Sequence, residues 1–231
     1  MASAWYAFAR WATKTFFYGS KGGLRSVGQE NVPLTGPLIV APNHVSNLDP
    51  PAVACGTKRR QLRFMAKEEL FKGFLGKLIS SLGAFPVKRG EGDTESIRNA
   101  IAILESGEAL LIFPEGTRGD GRTMLPVNRG VTMLAKRTNA LVLPVGIIGT
   151  HIVSPKGAKG KSHPMLVAYG EPFTYQQTAT GANERENREL FAAELEKRIL
   201  ALCNANGLPL KSAASIEGSA ESGGPAPELA G

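Results

Sequence analysis

With 231 residues, 42% hydrophobic and 20% charged, the chain has the length and apolar content of one α/β domain with a sizeable core rather than two domains. Its net charge of +7 is uneven: residues 184–231 carry five basic and eight acidic side chains, so the positive excess belongs to residues 1–183. Cys55 and Cys203 lie far apart without ligand-like spacing, which argues against a cysteine metal site and reads as buried reduced thiols in a reducing compartment.

In residues 1–25, Trp5, Phe8, Ala9, Ala12 and Phe16 follow helical spacing on one face, with Arg10 and Lys14 on the other. The stretch falls short of the roughly 20 apolar residues that a span needs, and it has no signal-peptide pattern. An aromatic face opposed to basic residues predicts an interfacial membrane helix, the competing reading being a first helix packed on the core.

Leu38–Ala41 reads as a short buried strand ending at Pro42. Beyond it, His44 precedes Asp49 by five positions in a segment flanked by Pro42 and by Pro50-Pro51. In a continuous helix that spacing separates the side chains by roughly 500° of rotation. The prolines instead predict a loop at His44 and an extended Asp49, where the carboxylate fixes one imidazole nitrogen and leaves the other free as a base. The plainer alternative is that Asp49 caps a helix carrying proline in its first turn.

Leu62–Ala66 is the next predicted strand, followed from Lys67 to Ser81 by a helix whose stripe is Leu70, Phe71, Phe74, Leu75, Leu78 and Ile79. Core packing is the default for that stripe, and a lipid-facing or acyl-facing role is the alternative. Lys58, Arg59, Arg60, Arg63, Lys67, Lys72 and Lys77 make this the most basic region, against Glu68 and Glu69. No aromatic residues interleave as a base-stacking platform requires, so nucleic acid is set aside in favour of an anionic membrane surface, a phosphorylated substrate or a solvated face.

Ala84–Lys88 forms a predicted strand leading into the polar turn Arg89-Gly90-Glu91-Gly92-Asp93, and Ile97, Ala100, Ile101 and Leu104 give the face of a helix stopped at Gly107. Ala109–Phe113 is a strand broken by Pro114. The loop after it, Glu115-Gly116-Thr117-Arg118, suits phosphate: arginine offers a bidentate fork, glycine lets backbone amides approach, and Thr117 donates or accepts. Glu115 repels a bare phosphate, which predicts that it orients Arg118 or binds a substrate hydroxyl. By itself the segment also reads as a surface turn with an Arg and Glu pair.

Val131–Arg137 is helical, Leu141–Ile148 a long apolar strand, Met165–Tyr169 a last strand, and Glu184–Cys203 a last helix using Phe191, Leu195, Ile199 and Leu202. The order predicts a single domain over residues 26–205, with a largely parallel mixed sheet flanked by helices and loops at strand ends as the site. Lys156-Gly157-Ala158-Lys159-Gly160-Lys161-Ser162 is a basic loop, but Pro155 stands where a phosphate-binding P-loop needs its first glycine. Residues 206–231, rich in Ser, Gly, Ala, Glu and Pro from 211 onward, are expected to be a disordered tail.

Four segments in order, Asn43–Asp49, Gly83–Arg89, Phe113–Arg118 and Val142–Gly146, resemble the four blocks of the glycerolipid acyltransferases, closest to bacterial members that acylate 1-acyl-glycerol-3-phosphate (lysophosphatidic acid). The resemblance spans about residues 30–175. It implies His44 as general base and Asp49 as its partner. It implies glycerol-phosphate binding by Glu115, Gly116 and Arg118, with Thr117 beside them, and matches Arg89 and Pro144 to the second and fourth blocks. An acyl-CoA or acyl carrier protein thioester is then the donor, with no metal or other cofactor, and the expected location is peripheral or monotopic on the cytoplasmic face of the cell membrane. Gly119-Asp120-Gly121-Arg122, Arg129 and Lys88 depart from the family's usual residues. The rival expectations are an acyltransferase for glycerol-3-phosphate or another lysophospholipid, and a non-catalytic lipid-binding module.

Overall fold

The central strand is buried on both faces, and the alternation of its side chains divides the core into two layers. Leu38 and Val40 face Tyr18, Ala52, Val53 and Cys55 on one side of the sheet, while Ile39 and Ala41 face Leu104, Val131, Phe191 and Ile199 on the other. A computed structural model describes residues 3–87 and 94–213. Lys88 and the expected turn from Arg89 to Asp93 lie outside the described residues, as do residues 214–231 of the expected tail.

In chain order the elements are α1 (Ala4–Ala12), β1 (Leu24–Val27), β2 (Leu38–Pro42), α2 (Asp49–Gly56), β3 (Leu62–Lys67), α3 (Gly73–Ser81), β4 (Ala84–Val87) and α4 (Thr94–Glu105). They continue with β5 (Ala109–Leu111), β6 (Thr123–Met124), α5 (Arg129–Thr138), β7 (Leu141–Ile148), α6 (Thr150–Val153), β8 (Met165–Tyr169), α7 (Glu184–Ala205) and β9 (Lys211–Ser212). The main sheet runs β1-β8-β7-β2-β5-β3-β4, parallel throughout except for the antiparallel pair β7 and β8. Helices α4, α5 and α7 cover one face; α2 and the chain leading from α1 cover the other. This is the mixed, largely parallel α/β domain expected from the alternating strand and helix pattern.

The amino-terminal helix combines both readings of its aromatic face. Tyr6, Ala9 and, in the π-helical turn Thr13–Tyr18 that continues α1, Tyr18 are buried, whereas Trp5, Phe8, Trp11 and Phe16 stand outward, 47–66% exposed. Ala9 therefore leaves the predicted outer face and Trp11 joins it. The wider π turn changes the angular step, which brings Tyr18 inward where its hydroxyl donates to Leu48 O at 2.8 Å.

The default reading of α3 as a core helix is overturned. Phe74 is 82% exposed, Leu70 and Leu75 stand out beside it, and Gly76 is the helix's one buried residue. Helical spacing fixes which residues share a face but not which way that face turns, and Glu68–Phe71 form a separate 3-10 turn, so the stripe does not lie on one continuous helix either. Part of the basic cluster is also engaged within the chain. Arg60 donates to Gly36 O and Gly107 O at 2.8 and 2.6 Å, and Arg59 to Val32 O at 3.0 Å, so these guanidiniums tie turns together. Lys67, Lys72 and Lys77 remain exposed.

The tail boundary at 206 falls too early. Leu208 and Leu210 are buried, and Lys211–Ser212 pair in parallel with Thr123–Met124. Two leucines separated by Pro209 re-enter the core beneath α7, a signal too short to register as periodicity.

Candidate active site

Three strand ends converge. The loop from Asn43 to Leu48 leaves β2, Phe113–Arg118 leave β5, and Gly149-Thr150 leave β7; β2 lies between the other two in the sheet. The carboxyl ends of parallel strands are where α/β sheets present ligand-binding loops.

His44 and Asp49 meet. His44 Nδ1 lies 2.9 Å from Asp49 Oδ2, with 15% of the imidazole side chain and none of the carboxylate exposed. A carboxylate only accepts, so Nδ1 carries the hydrogen, and in the neutral imidazole Nε2 then holds the lone pair. Phe113 stacks on the imidazole at 3.9 Å between ring centres and 23° between planes, fixing the ring from its flat side.

The route by which Asp49 reaches His44 differs from expectation. Asp49 is not extended; it is the first residue of α2, with Pro50 and Pro51 in the opening turn, where missing N–H groups cost nothing. Nor does it cap that helix: the N-cap position is Leu48, and the donors to the Asp49 carboxylate are His44, Val45, Ser46 and Thr150, none of them in the first turn of α2. Its carboxylate turns back instead: Oδ2 accepts from Val45 N and Ser46 N, each at 2.7 Å, as well as from His44. Oδ1 accepts from Thr150 Oγ1 at 2.6 Å. Ser46 Oγ in turn donates to Ser154 O at 2.8 Å, anchoring the loop to the segment that leads into Lys156, Lys159 and Lys161.

Glu115 is placed next to this pair but in a role that its spacing to Arg118 does not suggest. Oε1 accepts from His44 N at 2.6 Å and Oε2 from Leu125 N at 2.9 Å, so the carboxylate ties the histidine loop to the loop after β5 instead of orienting Arg118. Burial raises its carboxyl from 4.5 to about 7, partly offset by these two amide bonds. Gly119 N donates to His44 O at 2.8 Å, a second tie between the loops.

Gly116 takes a left-handed φ of 67° and, like Thr117, is exposed at the outer edge of the loop. Arg118 is partly exposed one residue from the Gly119 tie, and its guanidinium has no ion pair or hydrogen bond among the described residues. Pro144 is not brought to this loop. It is buried within β7 opposite Ala41, against Gly170 and Leu202 of α7, where it shapes the sheet. His44, Asp49 and the Glu115–Arg118 loop therefore assemble, while Pro144 stands apart.

Asn43 and Thr150 were missed by sequence reasoning. Asn43 Nδ2 donates to Ile147 O at 3.1 Å and Ile147 N donates to Asn43 Oδ1 at 2.7 Å, a buried clamp between β2 and β7. Asn43 stands inside the first resembling block, which was the available signal; Thr150 is 101 residues from Asp49 and no local pattern marks it.

Comparison with known proteins supplies the family. A family model described as Acyltransferase matches residues 23–148. The 1-acyl-sn-glycerol-3-phosphate acyltransferase of Bacillus subtilis is 30% identical over 185 residues, 80% of this chain and 90% of that protein. The Streptococcus pneumoniae protein of the same name is 35% identical over 114 residues, 48% of this chain and 41% of its own length. The crystal structure of the 1-acyl-sn-glycerophosphate (LPA) acyltransferase PlsC from Thermotoga maritima superposes with a TM-score of 0.69 at 25% identity, covering 87% of this chain and 81% of that one. With the family model spanning more than half of its length, the chain belongs to the acyltransferase family.

Proposed function

We propose that the protein transfers a fatty acyl group from a thioester, acyl-CoA or acyl carrier protein, to the sn-2 hydroxyl of 1-acyl-glycerol-3-phosphate, giving phosphatidic acid. The observation that carries this reading is the imidazole held by Asp49 at Nδ1, with Nε2 left as a base beside an arginine loop that suits phosphate. The names of the relatives support the acceptor.

An alcohol is a poor nucleophile at neutral pH, so removing its proton in the transition state contributes on the order of 10² to 10⁴ in rate. His44 Nε2 takes the hydroxyl proton as the oxygen attacks the thioester carbonyl. The tetrahedral intermediate then collapses with cleavage of the carbon–sulfur bond, and the imidazolium returns the proton to the departing thiolate. Asp49 stabilises the imidazolium and keeps its tautomer, as in a hydrolase triad whose nucleophile belongs to the substrate. Arg118, with Arg89 as the second basic group, holds the phosphate, and the amides around Gly116 and Thr117 assist. Glu115 keeps the histidine loop and the phosphate loop in register, which converts binding of the head group into alignment of the hydroxyl.

The acceptor is a lipid, and the surface offers a way to meet it. Trp5, Phe8, Trp11 and Phe16 form a ladder of rings with neighbouring centres 5.7–6.1 Å apart. Trp5 Nε1 donates to Ser81 Oγ at 3.0 Å, joining this ladder to α3, where Phe74 is flanked by Lys72 and Lys77. Among the described residues no helix is long and apolar enough to cross a membrane. Aromatic rings between basic residues suit insertion into the surface of an anionic bilayer, on the cytoplasmic face in this reading.

The test is mass spectrometry of products formed by the purified protein with mixed vesicles, acyl-CoA or acyl carrier protein donors, and lysophosphatidic acid, glycerol-3-phosphate or lysophosphatidylcholine as acceptors. Phosphatidic acid appearing with lysophosphatidic acid alone supports the reading. Acylation of glycerol-3-phosphate or of a choline lysolipid in its place would replace the acceptor, and no product from any pair would leave a lipid-binding module.

A further inference from the structure

We propose that Thr150 is a positioning residue for acyl transfer, acting through Asp49; this rests on the reading of His44 and Asp49 as the proton-transfer pair. The two oxygens of Asp49 are served unequally. Oδ2 takes three N–H donors, from His44, Val45 and Ser46, whereas Oδ1 has Thr150 Oγ1 as its one hydrogen-bond partner among the described residues. Both side chains are fully buried, so no solvent stands ready to replace that hydroxyl. An ionised oxygen stripped of its donor in such a place costs more than a neutral bond of the same length. There is also a geometric consequence. With both oxygens tied, the carboxylate plane is set; with Oδ1 released, the plane is free to tilt about an Oδ2 still held by its amides, which turns the Oδ2 lone pair away from the Nδ1–H direction.

The fold brings Thr150 to this point from a different strand. Asn43 clamps Ile147 near the end of β7, and Gly149, at φ 86°, turns the chain so that the next residue faces the loop of β2. A Cβ at Gly149 would lie 2.3 Å from Pro164 O, so only glycine makes this turn. Donor and acceptor thus stand on segments that leave neighbouring strands of one sheet. The Thr150 bond fixes the Asp49 carboxylate from outside the loop that carries His44.

Thr150→Val keeps the side-chain volume and removes the donor, while Thr150→Ser keeps the donor. The expected result is a fall in kcat of roughly 10- to 100-fold for Thr150→Val, with KM for both substrates within about twofold, and near-complete rescue in Thr150→Ser. Thr150→Ala carries the same expectation if the valine variant does not fold. Proton NMR of the full-length protein supplies a second readout: the hydrogen between His44 Nδ1 and Asp49 gives a downfield signal that persists in Thr150→Ser and is shifted or lost in Thr150→Val. Wild-type turnover in Thr150→Val, or equal losses in the valine and serine variants with an unmoved signal, overturns the proposal. His44→Gln is assayed alongside. If it keeps turnover, the base reading fails and takes this inference with it; if it is inactive while Thr150→Val turns over normally, the inference alone fails.

Discussion

Glu115→Gln separates the cost of burying a carboxylate from the work that carboxylate does. Burial holds the Glu115 carboxyl at about 7 in the folded protein, against 4.5 for a solvated side chain. The folded state therefore binds its proton more tightly. Between about pH 4.5 and 7 folding takes up protons at this site, so the Glu115 contribution favours folding in acid and is lost as pH rises through about 7. At 1.36 kcal/mol per pH unit the full interval is worth about 3 kcal/mol, and about 2–3 kcal/mol of it falls between pH 5 and 8. Glutamine does not titrate. Urea unfolding of both proteins at pH 5 and pH 8 is expected to show the wild type losing about 2–3 kcal/mol more than the variant over that range. Activity changes in the opposite sense. The ionised carboxylate accepts from both His44 N and Leu125 N, whereas a glutamine turns its amide nitrogen toward one of them, so transfer falls about tenfold at pH 8. Parallel pH dependences of stability in the two proteins would refute the reasoning, because Glu115 would then not be titrating across this window.

Two further outcomes follow from the same geometry. Arg118→Ala raises the lysophosphatidic acid KM roughly 10- to 100-fold and the donor KM little, read from initial rates with each substrate varied in turn; the reverse pattern contradicts phosphate binding at this loop. Trp11→Ser combined with Phe16→Ser removes two rings that are 53% and 66% exposed, each worth about 2 kcal/mol on burial, and weakens sedimentation with anionic vesicles by more than about 100-fold. Unchanged sedimentation would assign the bilayer contact to another surface.

Much of the fold is visible in periodicity. Leu38–Ala41, Ala109–Phe113 and Leu141–Ile148 are apolar runs of strand length bounded by Pro or Gly, and they are the three strands that carry the site. Less was visible where burial depends on partners far along the chain. Leu70, Phe74 and Leu75 have helical spacing, but that spacing does not say which way the face turns, and here it turns to the surface beside Trp5. Lys211–Ser212 form a strand because Thr123–Met124 offer an edge, not because their own residues favour one. Within the site, the five-residue interval of His44 and Asp49 identified the pair. The prolines after Asp49 suggested an extended residue, yet proline in the first turn of a helix is equally good stereochemistry, and the structure uses it. Glu115 was legible as a site residue and misjudged in role, since its partners, His44 N and Leu125 N, are backbone groups without a sequence signature.

The most direct test of the account is single-turnover acyl transfer by His44→Gln in vesicles, with lysophosphatidic acid binding measured on the same preparation. The account predicts a loss of roughly 10² to 10⁴ in the rate of phosphatidic acid formation, with lysophosphatidic acid binding within about twofold of wild type. A wild-type rate, or a loss of binding in proportion to the loss of rate, would contradict the assignment of His44 as the base.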